Sequence, residues 1–195
     1  MSNMNELRNC WRTPRWLFNH INKEFKFTVD GAATSQNSLC KWYFEDAFNV
    51  SPKRERIWVN PPYRCHRNRI IKWVELAMEW QASGNTVYML LLSDTGTKWF
   101  DLAFNNCTRM DFFTPRFNFD LPYGADFEDP KSVRAPSVGI LFKPSKRKLK
   151  PKYQTVDLTP VLEAHMADEP PVWEGLDNRH RVRIGLPDWQ NGGKG

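Results

Sequence analysis

The sequence predicts an α/β protein built on a largely parallel sheet flanked by helices. Three observations carry this reading. Short apolar runs that read as strands alternate along the chain with segments of helical period, the pattern that makes βαβ units. The clearest helical segment, "NRIIKWVELAMEWQASG", passes directly into a buried-type apolar run, "NTVYMLLL". Asp30 and Asn60 each close an apolar run just before a loop, and ligands of such sheets sit beyond the carboxyl ends of the strands.

Taken in order, "RTPRWLFNHINKEF" opens the ordered chain. Thr13 before Pro14 reads as an N-cap followed by proline at the first helical position. Leu17, Phe18 and Ile21 then form one apolar stripe. "FKFTVDGAAT" alternates Phe25, Phe27 and Val29 with polar residues and predicts a strand ending on Asp30. "LCKWYFEDAF" is read as a short helix or turn leading into a brief strand over Trp42 to Phe44, and "RIWVN" as a strand of about four residues. Ile70, Ile71, Val74, Ala77 and Met78 recur at helical spacing, and Gly84 closes that helix. "TGTKWFDLAFNN" predicts a further short helix in which Trp99 and Phe100 serve as core. "TRMDFF" and "SVGILFK" are strands separated by a long loop, residues 114–135, rich in Pro, Asp and Gly; loops of that length are functional or mobile. Residues 11–143 thus read as one compact domain, and residues 144–195 as a basic segment and tail with one short ordered piece.

Composition narrows the function classes. At 195 residues the chain buries a core without staples, and 41% apolar with 26% charged residues is ordinary for a soluble protein. The net charge of +6 suits a polyanionic partner. The run "KPSKRKLKPK" at residues 143–152 carries six positive charges and no negative one. Nine tryptophans exceed the usual need of a core this size. Cys10, Cys40, Cys65 and Cys107 form no CxxC pair, which argues against a disulfide framework and a zinc ribbon and leaves them as free thiols with no metal site. "MSNMNELRNC" has no apolar signal core, and no stretch nears membrane-spanning length. A soluble, cytoplasmic protein is expected, with no membrane partner.

The stretch "WVNPPY", residues 58–63, ends an apolar run on an Asn, two prolines and an aromatic ring. A turn is one explanation, since Asn-Pro and Pro-Pro are ordinary turn signals. A cradle for a planar amine is the other. The exocyclic amine of adenine is a poor nucleophile because its lone pair is delocalised into the ring. Acceptors at the Asn60 side chain and the Pro61 carbonyl would take its two N–H groups and stabilise the positive charge that grows during alkylation. Pro61 and Pro62 hold the backbone rigid, and Tyr63 offers a flat face for stacking a base that has left the duplex.

The cradle resembles motif IV of amino-methylating, S-adenosylmethionine-dependent methyltransferases. The likeness extends through "WRTPRWLFNHINKEFKFTVDGAAT", "NSLCKWYF", "WVNPPY", "IIKWVELAMEW", "VYMLLLSDTGTKWF", "FTPRFNFD" and "APSVGILF". In that order and spacing the chain is similar to the phage DNA N6-adenine methyltransferase (Dam) family over roughly residues 11–143. The resemblance implies a class I S-adenosylmethionine-dependent methyltransferase-like fold, S-adenosylmethionine as cofactor, DNA as substrate and, for a phage-encoded chain, the cytoplasm of a bacterial host. It implies catalytic roles for Asn60, Pro61, Pro62 and Tyr63. By the same resemblance Thr13 and Pro14 line the cofactor pocket, and Asp30, Gly31, Ala32 and Ala33 replace the usual glycine-rich loop. Asp46 is the acidic group for the ribose, with Glu45 competing.

The chain departs from the family where glycine usually follows the tyrosine; here Arg64, Cys65, His66 and Arg67 follow. Arg64, Arg67 and Arg69 are therefore read as phosphate contacts beside the flipped base. Ser93, Asp94 and Thr95 are expected near the target base. Arg116 is kept where the family has a Gly-Arg pair, and Lys146, Arg147 and Lys148 are read as further phosphate contacts. Three functions stay open at this point. They are methyl transfer to adenine in DNA, methyl transfer to RNA adenine or protein glutamine, and non-catalytic nucleic-acid binding by a chain that has lost its cofactor loop.

Overall fold

A computed structural model describes residues 11–63, 70–120, 135–145 and 150–168. Eleven named elements follow in order: helix α1 (Arg15–Phe25), strands β1 (Val29–Asp30), β2 (Trp42–Tyr43) and β3 (Arg56–Val59), helix α2 (Ile70–Ala82), strand β4 (Thr86–Leu92), helix α3 (Lys98–Asn106), strands β5 (Arg109–Thr114), β6 (Ser137–Phe142) and β7 (Lys152–Asp157), and helix α4 (Thr159–Asp168). A single 3₁₀ turn, Ala47–Asn49, follows β2.

Helix α1 differs from expectation at both ends. Pro14 is its N-cap and no side chain caps it. The Thr13 hydroxyl is instead engaged by Asn60, 3.1 Å away. The helix runs on through Phe25, which had been assigned to the next strand. Asn22 stops it there: its carbonyl accepts the N–H of Lys26, whose backbone is left-handed, and its side chain accepts the N–H of Phe27 at 2.6 Å. β1 is consequently only Val29–Asp30. Phe25 and Phe27 still pack where a strand would have placed them, against Tyr88 and, for Phe27, Trp58.

The strands form one seven-stranded sheet in the order β2-β1-β3-β4-β6-β5-β7. Neighbours β2, β1, β3 and β4 pair in parallel. β6 alone runs against the rest, pairing antiparallel with β4 and β5, while β5 and β7 are parallel. The sheet is therefore mixed, with a parallel half. No helical period lies between β5 and β6 to make a crossover, and a parallel pair needs one. β7 and α4 come from the segment read as tail. β7 has an exposed face and almost no apolar pattern, "KYQTVD", so it lacked a strand signal and is recruited as an edge by β5.

Two apolar layers cover the sheet. On one face α2 and α3 bury Trp73, Val74, Ala77, Trp80, Trp99, Phe100 and Ala103 against Ile57, Val59, Met89 and Ile140. On the other, α1 buries Leu17, Phe18 and Ile21 with Trp58, Tyr88, Leu90, Phe113 and Phe117. Trp99 and Phe100 are core, as their spacing suggested. A polar network runs from buried Tyr88 and Asp111 out to the surface at Glu24. Tyr88 donates its hydroxyl to Asp111 at 2.8 Å, Gln154 donates to the same carboxylate at 2.8 Å, and Arg109 bridges Asp111 at 2.9 Å and Glu24 at 2.8 Å. One network thereby ties β4, β5, β7 and α1. Buried polar groups are tolerated only when partnered in this way.

Gly139 makes the network possible, because a Cβ there would lie 1.9 Å from the Tyr88 hydroxyl oxygen. Gly139→Ala is expected to destabilise the fold by on the order of 3 kcal/mol through overpacking. Gly84→Ala, where φ is +92° but nothing lies within 4 Å, should cost only about 1 kcal/mol. Urea denaturation of the two variants checks the ranking, and equal losses would contradict it.

Candidate active site

Strand order reverses at β1: the chain steps from β1 outward to β2, then returns across it to β3. The loops leaving β1 and β3 diverge there, and a crevice opens beyond their carboxyl ends. A cavity of about 470 Å³ occupies that place, a volume in the range of small-molecule sites. Its wall includes Thr13, Asp30, Ala32, Ala33, Glu45, Asp46, Asn60 and Pro62, drawn from well-separated parts of the chain.

Asn60 holds the wall together. Its amide nitrogen donates to the Trp11 carbonyl at 3.3 Å and to the Thr13 hydroxyl at 3.1 Å. The carbonyl can only accept, so it fixes which way the amide is turned. The Asn60 side-chain oxygen is left buried with no hydrogen-bond partner among the described residues. Unpaired buried acceptors are rare, and each needs a reason.

Asp30 is buried, with 4% of its surface exposed. One carboxylate oxygen accepts the Ala32 N–H at 3.3 Å, and the other accepts the Leu39 N–H at 3.0 Å. The carboxylate thus closes the loop from β1 towards β2 as well as lining the cavity. Burial raises its pKa from 3.8 to about 6 against the lowering effect of those two amides. The nearby Cys40 thiol is pushed up to about 12 by burial and by Asp30.

Asp46 and Glu45 both line the cavity, following β2. Asp46 already accepts a hydrogen bond from Asn49 at 2.6 Å, whereas Glu45 makes none among the described residues, so Glu45 is the freer acceptor. Gly31 does not line the cavity. A Cβ there would lie 2.9 Å from Ile57 and 3.2 Å from Trp80, so its missing side chain serves core packing. Pro14 also lies off the cavity wall, as the N-cap of α1.

Tyr63 packs against the α2 side of the core. Its hydroxyl oxygen accepts the Leu92 N–H at 2.8 Å. β3 stops at Val59, opposite Met89, so the tyrosine supplies the acceptor that the strand no longer offers. The hydroxyl therefore has a structural use in addition to any use of the ring face. Burial pushes the phenol above its ordinary range.

Ser93, Asp94 and Thr95 follow β4 at the same carboxyl-end rim but do not line the cavity. Ser93 donates its N–H to the Pro136 carbonyl at 2.8 Å, and the Asp94 carbonyl accepts from Thr97. Arg116 is exposed just beyond β5, also at that rim. Arg64, Arg67, Arg69, Lys146, Arg147 and Lys148 lie outside the described residues. The two ends of the basic run are described, however. Lys143 follows β6 beside the amino end of β4, and Lys152 opens β7 opposite Arg109. Lys143 is level with Thr86, four residues or about 13 Å along the strands from the level of Asn60, whereas Lys152 is level with Trp58 but four strands across the sheet from β3, about 19 Å away.

Sequence reasoning missed Trp11, Arg12, Arg15, Asn37, Trp73 and Asp120, all on the cavity wall. Arg12 and Asp120 exchange backbone hydrogen bonds at 3.0 and 2.9 Å, which draws the segment after β5 against the amino-terminal segment. Only a tertiary contact could reveal that.

Fold and site together define an α/β protein with a small-molecule crevice at its topological switch point and an Asn-Pro-Pro-Tyr loop on the rim. The family described as DNA N-6-adenine-methyltransferase (Dam) matches residues 2–166, and the chain belongs to that family. It is 29% identical over 109 residues to a DNA N-6-adenine-methyltransferase of Escherichia phage T1, covering 53% of this chain and 44% of that protein. It is 26% identical over 144 residues to a DNA N-6-adenine-methyltransferase of Haemophilus phage HP1, covering 70% of this chain and 80% of that protein. The chain thus spans less than half the length of the first of these relatives.

The raised pKa of Asp30 has a definite consequence for stability. The folded state holds this proton more tightly than the unfolded chain does. Asp30 therefore contributes stability that is full below about pH 4 and lost as pH rises past about 6. Asp30→Asn removes the titration, so its stability relative to the unmodified chain should improve across that window by up to about 3 kcal/mol. Urea denaturation at intervals between about pH 4 and about pH 7 reads this. A difference that stays constant, or moves the other way, would contradict it.

Proposed function

We propose that this chain transfers a methyl group from S-adenosylmethionine to the N6 amine of adenine in DNA, with the target base flipped into the loop Asn60–Tyr63. The observation that carries the proposal is the buried, unpartnered side-chain oxygen of Asn60 on the cavity wall. No described residue partners it, and the reaction supplies the partner: an N–H of the target amine. The bonds to Trp11 and Thr13 turn the amide so that the oxygen, and not the nitrogen, is available. Held this way, the acceptor stabilises positive charge on the amine in the transition state without having to reorganise.

The cavity fits the cofactor by position and size, and the class I fold is part of this reading, supported by the parallel half-sheet and its switch point at β1. S-adenosylmethionine supplies an electrophilic methyl group when bound. Thr13, Asp30, Ala32, Ala33 and Glu45 or Asp46 would hold it. Ala32 and Ala33 keep the backbone approachable, and an acid after β2 is placed to accept ribose hydroxyls. Tyr63 stacks the base while its hydroxyl anchors the ring to Leu92.

DNA is the proposed substrate through the family, through the net charge and through the position of Ser93–Thr95 and Arg116 on the rim of Asn60. Lys143 lies towards the amino ends of the strands and Lys152 four strands across the sheet from β3, so we assign phosphate contacts near the target base to Arg116 in preference to these two. Arg64, Arg67 and Arg69 follow the tyrosine directly in the chain and are proposed for the same role.

Asn60→Ala is expected to lower turnover by about a hundredfold or more, corresponding to about 3 kcal/mol in the transition state. Affinity for S-adenosylmethionine should change far less. Turnover above about a tenth of the unmodified value would sink the assignment. Tyr63→Phe should keep the stacking face and most of the turnover, yet lose about 1–3 kcal/mol of stability, because the Leu92 N–H is left without its acceptor. Arg116→Ala should flatten the slope of log K against log salt for DNA by about 0.9, whereas replacing Lys150 and Lys152 should leave that slope almost unchanged. Titrations at several salt concentrations separate the two, and the reverse ranking would move the DNA to the β7 edge of the sheet.

A further inference from the structure

A second buried polar atom, on a residue that lines the cavity, is left without a partner among the described residues. The indole N–H of Trp73 is buried and makes no hydrogen bond among the described residues. Only 5% of this side chain is exposed, and it lines the same cavity as Asn60. Trp80, two turns further along α2, shows what the helix does with an ordinary buried indole: its N–H reaches the Val50 carbonyl at 3.4 Å. Trp73 sits in the first turn of α2, at the rim where that helix begins, and packs edge-on against Phe48 with ring centroids 4.9 Å apart. A buried donor left unpaired costs about 1–3 kcal/mol, so it is either served by a ligand or carried as a penalty.

The neighbours of Trp73 indicate which part of a ligand it meets. Phe48 follows Asp46 and Ala47 in the turn after β2, and all three line the cavity. An acid at that place takes ribose hydroxyls. The base attached to that ribose then lies beside Phe48 and Trp73, between apolar rings, with the indole N–H as a directional group. Purine ring nitrogens are acceptors. We propose that the Trp73 N–H donates a hydrogen bond to a ring nitrogen of the methyl donor's adenine, making Trp73 the residue that selects an adenine nucleoside in this cavity. This rests on the cofactor reading above and adds the group that recognises its base. The two orphaned atoms then divide the labour: the Asn60 oxygen accepts from the amine to be methylated, and the Trp73 N–H donates to the cofactor.

The test is calorimetric and needs no turnover. S-adenosylhomocysteine, and analogues in which a single ring nitrogen of its adenine is replaced by C–H, are titrated into the unmodified chain and into Trp73→Phe. Phenylalanine keeps an aromatic ring against Phe48 and removes only the donor and part of the ring volume. One analogue should bind the unmodified chain about tenfold more weakly than S-adenosylhomocysteine does, the loss of a single hydrogen bond. The same analogue and S-adenosylhomocysteine should bind Trp73→Phe equally. The titrations on the unmodified chain stand even if the variant folds poorly. Full affinity for every analogue overturns the Trp73 assignment and leaves the cofactor reading intact. No binding of S-adenosylhomocysteine or S-adenosylmethionine to the unmodified chain overturns both.

Discussion

The amide group of Asn60 is bonded on one side only. Its nitrogen is spent on the Trp11 carbonyl and the Thr13 hydroxyl. Its oxygen is buried without a partner among the described residues. Two consequences follow from that asymmetry. The segment ahead of α1 is drawn over the carboxyl end of β3, so that Trp11, Arg12 and Thr13 become wall and the crevice acquires its depth. The oxygen is meanwhile held in one orientation before any substrate arrives, the condition under which a hydrogen-bond acceptor acts on a transition state without a reorganisation penalty. The Thr13 hydroxyl is taken from helix capping for this purpose, and α1 accepts an uncapped start. Losing a side-chain cap costs a helix about 1 kcal/mol, a local sacrifice of the kind expected where site and fold compete for one residue.

The surrounding architecture can be understood as support for that loop. β3 is only four residues long and stops opposite Met89, so the Asn-Pro-Pro-Tyr segment leaves the sheet early and crosses the end of β4. Neither proline has an N–H to leave unpaired there. Tyr63 restores contact with the sheet through Leu92. β4 is in turn fixed by its long antiparallel pairing with β6 and by the Tyr88–Asp111–Arg109–Glu24 network beneath α1. The antiparallel β6 also returns the chain to the amino-end edge. That is why Lys143, where the basic run starts, lies about 13 Å along the strands from the level of Asn60.

Much of this was legible in the sequence. Helical spacing in "IIKWVELAMEW" and the apolar run "VYMLLL" located α2 and β4, and the end of "RIWV" located the loop that matters most. Asp30 ends β1 and lines the cavity, at the strand end where its alternation pattern put it. Failures occurred where a tertiary partner outweighed local preference. Phe25 alternates like a strand residue but ends a helix because Asn22 caps it from within. Thr13 reads as an N-cap but serves Asn60. Gly31 reads as a cofactor glycine, yet the side chains of Ile57, Val59 and Trp80 are what exclude a Cβ. β7 has no period to detect, since an edge strand with an exposed face needs only a free neighbour. Trp73 was hidden among helix core residues; that its N–H has no partner among the described residues is visible only in the packed structure.

The central claim is that the Asn60 oxygen waits for an adenine amine. The most direct measurement uses S-adenosylmethionine carrying an isotopically labelled methyl group, incubated with this chain and duplex DNA, followed by digestion to nucleosides and mass spectrometry. Label should appear on the N6 amine of deoxyadenosine and on no other nucleoside. Label on the amine of deoxycytidine would keep the crevice and the acceptor but assign them to another base. Label on no nucleoside, with the cofactor demonstrably bound, would contradict the account.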